Sequence, residues 1–134
     1  MAANHAILDE HLKALSQNHV LSVSDDARWL VVHEFALPPG YSRASTNILI
    51  EIPRDYPLTP PGVACRTYID PDLRFRGETL RDLYARDVPP WGRWGWLCYQ
   101  DIRWNPHRDN LLTFIGMLRT DLTRPRIRKP KAAS

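Results

Sequence analysis

Proline punctuates this chain more tightly than any other residue. Twelve prolines stand against six glycines in 134 residues, and ten of the twelve lie between Pro38 and Pro106. Each one fixes φ and removes a backbone donor, so the middle of the chain reads as short elements joined by stiff connections, not as a helical bundle. The ends are freer. Residues 5 to 17 place Ile7, Leu8, Leu12 and Leu15 on one helical face, with Asp9, Glu10 and Lys13 off it. Near the other end, Leu111, Leu112, Ile115, Leu118 and Leu122 recur at helical spacing, with Asp109 as the expected N-cap and Pro125 as the stop.

Between the helices run short apolar segments. Val20–Val23 is brief, Trp29–Phe35 is stronger, Asn47–Ile52 alternates cleanly, and a fourth run extends from Gly62 to Tyr68. Pro38-Pro39-Gly40 and the Ser/Arg/Ala stretch after it connect the second and third. Such spacing predicts an antiparallel meander of about four strands. Residues 73 to 97 are less regular: Thr79–Arg86 suits a short helix with Leu80, Leu83 and Tyr84 as its apolar side. Pro89 to Trp96 then reads as a Trp/Gly/Pro loop. Trp91, Trp94 and Trp96 pack that segment onto the sheet or present a peptide-binding surface, the first being the reading preferred. No internal repeat or second domain is visible, so an α+β domain over residues 1–124 is expected, followed by a basic, flexible tail over 125–134.

Charge narrows the function classes. The formal net charge is +3, yet the six basic residues from Arg119 to Lys131 against Asp121 supply +5 of it, leaving −2 for the first 118 residues. The basicity belongs to the tail, which has no aromatic residue to interleave with it, so a nucleic-acid partner is not expected. No apolar run nears the roughly 20 residues a bilayer span needs. No basic patch followed by an apolar stretch opens the chain, and two cysteines without an export signal are expected reduced, so the expectation is a soluble, cytoplasmic protein. Neither Cys-x-x-Cys nor His-x-x-x-His spacing occurs, so no metal and no cofactor are expected.

The most specific stretch is Ile50-Glu51-Ile52-Pro53-Arg54-Asp55-Tyr56-Pro57-Leu58-Thr59-Pro60-Pro61. Tyr56 there plugs the end of a sheet, while the prolines force an extended exit. The stretch resembles the strand-then-Tyr-Pro-x-x-Pro-Pro segment of ubiquitin-conjugating enzymes. Downstream, Cys98 precedes Trp104-Asn105-Pro106 and the last helix, similar to that family's active-site cysteine followed by Trp-x-Pro and a helix. The motif order matches from about residue 5 to residue 124. Leu37-Pro38-Pro39-Gly40-Tyr41 and the Trp-rich loop look more like the divergent bacterial branch, prokaryotic family E. Three departures stand out. Asp70-Pro71-Asp72 occupies the place of the family's His-Pro-Asn; the stretch from Asp72 to Cys98 is a long insertion; and Arg124–Lys131, not an acidic segment, follows the last helix.

The resemblance implies a ubiquitin-conjugating fold and a thioester carrier. Cys98 would accept a ubiquitin-like protein from an adenylating activating enzyme and pass it to an amine of a target protein. The branch further implies a pathway holding a deconjugating metallopeptidase and a role in antiphage defence. Cysteine suits such transfer because its thiolate is nucleophilic near neutral pH and its thiol leaves readily. Read as a residue alone, Cys98 is either this exposed nucleophile or a small buried hydrophobe, and its place in the motif order selects the first. Cys65, inside Val63-Ala64-Cys65, reads as core. Backbone amides beside Cys98 are the default donors to the oxyanion, with Gln100 as a side-chain candidate. Asp70 and Asp72 are acceptors when ionised; they orient or deprotonate the attacking amine, or they simply build a turn. His107 assists proton transfer or is a polar residue at the start of the last helix. Two other readings stay open: a family variant that binds a ubiquitin-like partner without catalysis, and an unrelated α+β binding module.

Overall fold

The computed structural model describes residues 2–62, 66–97 and 103–127. Helix α1 (Ala2–Leu15) leads into strands β1 (Val20–Val23), β2 (Trp29–Ala36), β3 (Ser45–Glu51) and β4 (Thr67–Ile69), the meander expected from the spacing. Four more strands follow: β5 (Arg74–Phe75), β6 (Glu78–Thr79), β7 (Leu83–Val88) and β8 (Gly92–Leu97), before helix α2 (Leu111–Thr123). The main sheet is antiparallel, with strand order β1-β2-β3-β4-β8-β7, and β5–β6 is a separate hairpin. It turns at Arg76 and Gly77, both at positive φ. No helix among the described residues is long and apolar enough to cross a membrane.

Alternation along β2 and β3 sorts the side chains into two cores. Leu30 and Val32, opposite Ile50 and Ile48, join Leu8, Leu15, Phe114, Ile115 and Leu118 on the side covered by both helices. Val31 and Leu49 face the other way, beside Tyr68 and Val88. A β-bulge preserves the helix-side core along β2. His33 and Glu34 share one position opposite the β3 strand, Glu34 adopts φ 49°, and its N–H donates to Asn47 Oδ1 at 2.9 Å. The extra residue shifts the alternation by one, so Phe35 returns to the helix side and is fully buried.

The segment from 73 to 97 corrects two expectations. Thr79–Arg86 is not a helix: Leu83 enters the helix-side core, whereas Tyr84 turns to the opposite face against Trp96, as neighbours on a strand must. Nor is 89–96 a loop throughout. Only its first three residues turn, and Gly92–Leu97 pairs residue for residue with β7 and through Tyr68↔Trp96 and Ile69↔Gly95 with β4. The four-stranded meander thus extends into a six-stranded sheet. Trp29, Trp91, Trp94 and Trp96 pack over Val31, Leu49, Tyr68 and Val88, on the face that no helix covers among the described residues. Packing onto the sheet, the preferred role for Trp91, Trp94 and Trp96, is what the structure holds.

Beyond α2 the chain stays docked for a few residues. Arg81 N–H donates to Arg126 O at 2.8 Å, Arg126 Nε meets Asp82 Oδ2 at 2.7 Å, and Ile127 bridges Leu80. The first three residues of the expected tail therefore lie against the body.

Candidate active site

The two motifs that carried the resemblance meet in space. Tyr56 is 2 % exposed, at the edge of the helix-side core. Its ring lies 6.0 Å from that of Trp104, and Trp104 Nε1–H donates to Pro57 O at 2.7 Å. On its other side the phenol oxygen sits 2.8 Å from His11 Nδ1 on α1. Burial pushes the Tyr56 phenol pKa up, with the backbone N–H of Leu111 pulling the other way, and burial lowers that of His11. At neutral pH both groups are therefore uncharged, and the bond joins a neutral phenol to a neutral imidazole. One aromatic column thus ties α1, the exit from β3 and the approach to α2. That exit is not extended as expected: Tyr56 N–H returns to Pro53 O and Leu58 N–H to Asp55 O, so the prolines lie within successive turns.

From Trp104 the chain makes a tight turn into α2. Asp109 is buried, and its carboxylate accepts Asn105 N–H at 2.7 Å while Asp109 N–H returns to Asn105 O at 2.7 Å. That bond, helped by the Arg108 guanidinium, holds the Asp109 carboxyl below the usual carboxylate range. With its oxygens so engaged, Asp109 does not cap α2 as expected. Asn110 does: its side chain accepts from Leu112 and Thr113 N–H, and Thr113 Oγ1 accepts from Asn110 N–H, a closed capping box. His107 is exposed within this turn, its N–H donating to Asn105 Oδ1 at 3.0 Å.

Asp70 and Asp72 form a second group, just past β4. Asp72 N–H donates to Asp70 Oδ1 at 2.9 Å, an Asx turn. Each carboxylate also meets a guanidinium: Arg43 Nε lies 3.0 Å from Asp70, and both terminal nitrogens of Arg93 reach Asp72 at 3.2 and 3.3 Å. Arg93 accordingly holds the Asp72 carboxyl below its ordinary pKa. Arg43, Asp70, Pro71, Arg93 and Trp94 line an open hollow of about 350 Å³ with Asn47 and Glu34 of the bulge. The register fixes where this hollow lies. Continuing Tyr68↔Trp96 and Ile69↔Gly95 sets Asp70 opposite Trp94 but Thr67 opposite Leu97. Asp70 and the end of β8 are thus roughly 10 Å apart along the strands, at about 3.3 Å per residue.

Cys98 and Gln100, the expected nucleophile and oxyanion donor, lie outside the described residues, as does Cys65. The residues described on either side of Cys98 and Gln100 in the sequence belong to β8 and to the approach to α2. Buried Leu97 ends β8, and Trp104 resumes the path in the aromatic column. Asp70 and Asp72 stand together with Arg43 and Arg93, and His107 stands apart from them in the turn before α2. Neither the arginine partners nor His11 was anticipated. Arg93 sits among tryptophans in the sequence, with no local signal of an acid 21 residues upstream; His11 lies on the helix but off its apolar set.

An antiparallel sheet with a helix from each end of the chain, a Tyr-Pro segment locked to a Trp-x-Pro segment, and a cysteine between them in sequence define a protein of the ubiquitin-conjugating class. The chain matches prokaryotic E2 family E over residues 8–124 and belongs to that family. No curated protein and no solved structure matches it. Membership ties the chain to ubiquitin-like conjugation in general, and to ubiquitin-like proteins and activating enzymes as the general kinds of partner.

Proposed function

We propose that this protein is a ubiquitin-like conjugating enzyme in which Cys98 accepts the C-terminus of a ubiquitin-like protein as a thioester and yields it to an amine of a target. The observation that carries the reading is the family match, which spans Cys98 and both flanking motifs. The aromatic column supports it by joining Trp104 of the Trp-x-Pro motif to the Tyr-Pro segment. In transfer, the Cys98 thiolate attacks the activating enzyme's thioester, whose thiol leaves; the target amine then attacks the new thioester and restores the Cys98 thiol. Backbone amides near Cys98, with Gln100, would donate to the oxyanion, and His107 would take part in proton movement. Asp70 and Asp72, both ion-paired, would shape the turn and hold acceptor-side charge rather than act as free bases. We place this activity in the cytoplasm, over a domain of residues 1–124, within a bacterial pathway that includes a deconjugating metallopeptidase and serves antiphage defence.

One observation favours a second reading. Asp70-Pro71-Asp72 stands where the family carries His-Pro-Asn, and its carboxylates are committed to Arg43 and Arg93. A variant that binds a ubiquitin-like partner without catalysis fits that. Incubation with the ubiquitin-like protein, activating enzyme and ATP decides between them. The thioester reading expects a higher-mass band that thiol reductant removes, a reductant-resistant oxyester in Cys98→Ser, and no band in Cys98→Ala. Binding without any adduct establishes the non-catalytic reading, and an adduct persisting in Cys98→Ala moves the nucleophile elsewhere.

A further inference from the structure

The bulge on β2 returns Phe35 to the core, and it also sets Glu34 at one end of a row that crosses four strands. Asn47 lies opposite the bulge on β3, and continuing Leu49↔Tyr68 by two residues sets Asp70 opposite Asn47. Asp70 in turn stands opposite Trp94 of β8, by continuation of Tyr68↔Trp96. All four residues line the hollow of about 350 Å³. Three strand intervals of about 4.8 Å put the backbones of Glu34 and Trp94 ~14 Å apart. Two long side chains therefore wall the hollow, and the shorter Asn47 and Asp70 floor it. Asn47, Asp70 and Trp94 share a face with Leu49, Tyr68 and Trp96, two residues along each strand, so the hollow opens on the aromatic side of the sheet.

Its charges do not balance. Arg43 meets Asp70, and Arg93 meets Asp72. Glu34 is exposed and has no ion-pair partner among the described residues. His33 beside it lies 2.7 Å from Ser22 Oγ through Nε2. An anion in the hollow would meet cations whose charge is already balanced and a carboxylate whose charge is not. The bulge needs an extra residue at φ 49° but not an acidic one, since glycine or asparagine adopts that conformation more readily. Bulges recur next to active sites, where they re-aim a side chain.

We infer that the hollow binds a lysine side chain of a partner protein, its ammonium on the Glu34 carboxylate and its four-carbon stem along the Trp94 ring. Trp94 Nε1–H donates to Trp91 O at 3.0 Å, which fixes the plane of that ring, and a cation beside an indole face is attracted to it. The Ser45 hydroxyl, also lining the hollow, offers the ammonium a further acceptor. Asp70 engages Arg43 through Nε, leaving the terminal nitrogens for carbonyls of the partner's chain, so a polypeptide suits the site better than a free amine. Anchorage of this kind is independent of acyl transfer at Cys98.

Nuclear magnetic resonance titration of the full chain with acetyl-Gly-Lys-Gly-amide and with its norleucine analogue tests it. The lysine peptide should give saturable shifts at the Trp94 indole N–H and the Asn47 side-chain amide, and the norleucine peptide should bind more weakly. Glu34→Gln, an exposed change of nearly equal size, should weaken the lysine peptide by about two- to fivefold, the worth of one exposed ion pair. The rest of its spectrum should stay in place. The amine n-pentylamine carries the ammonium and stem without peptide groups and should bind more weakly than the lysine peptide. Shifts that do not saturate overturn the inference. So does equal binding of the norleucine peptide, undiminished affinity in Glu34→Gln, or a preference for the free amine.

Discussion

At His11 a ring nitrogen lies 2.8 Å from the phenol oxygen of Tyr56, and a protonated ring, with both nitrogens donors, can hold that oxygen only as its acceptor. Burial holds the pKa of His11 below its ordinary 6.5, and that of His19 as well, the latter with help from Arg119. When the folded value lies below the unfolded one, the unfolded chain binds the proton more readily. The two histidines therefore contribute stability that is complete above pH 6.5 and is lost as the pH falls through their folded values. Chemical denaturation should show unfolding free energy falling between about pH 7 and pH 5, well before the carboxylates titrate. In His11→Phe that fall should be shallower. The same variant leaves the buried phenol without its imidazole partner, which should cost about 1–3 kcal/mol at neutral pH. An unchanged slope would mean that His11 does not carry the pH dependence.

Elements rather than residues decide where the sequence was legible. Helix α2 announced itself through Leu111, Ile115, Leu118 and Leu122, β2 through its apolar run and β3 through its alternation, because burial imposes a pattern there. Asp109 and Asn110 are adjacent residues of equal capping propensity, and only the turn from Asn105 consumes one of them. Asn110→Ala should lower stability by about 1 kcal/mol, readable as a smaller free energy of urea unfolding; no loss would return the cap to Asp109. Strands β7 and β8 were illegible for another reason. Gly92, Gly95, Pro89 and Pro90 are turn formers, and the tryptophans between them show their alternation only once β4 lies alongside. The candidate site divides the same way. Its motif order could be read along the chain, but the guanidiniums that engage Asp70 and Asp72 come from 27 and 21 residues away, by subtraction of Arg43 from Asp70 and Asp72 from Arg93.

For the molecule as a whole, the strand order has one seam. Every neighbouring pair in the main sheet is consecutive in sequence except β4 and β8, which among the described residues share Tyr68↔Trp96 and Ile69↔Gly95 in register. Gly95 fits there because it has no side chain: a Cβ would stand 2.7 Å from Pro71 Cα and 2.9 Å from Ile69 O, both backbone atoms that cannot swing aside. Gly95→Ala should therefore cost about 1–3 kcal/mol, as overpacking does. The β7–β8 hairpin closes over a short loop and can form by itself, whereas its docking on β4 must bring together segments 26 or more residues apart, the separation of Ile69 from Gly95. In hydrogen-exchange terms the sheet should therefore behave as two opening units, β1 to β4 and β7 with β8, meeting at that join. Amides of β8 should lose protection in Gly95→Ala while those of β2 and β3 keep theirs. Uniform loss across all six strands would instead make the sheet a single cooperative unit. Because residue 98 follows β8 directly in the sequence, the proposed nucleophile is joined covalently to the smaller of these two units.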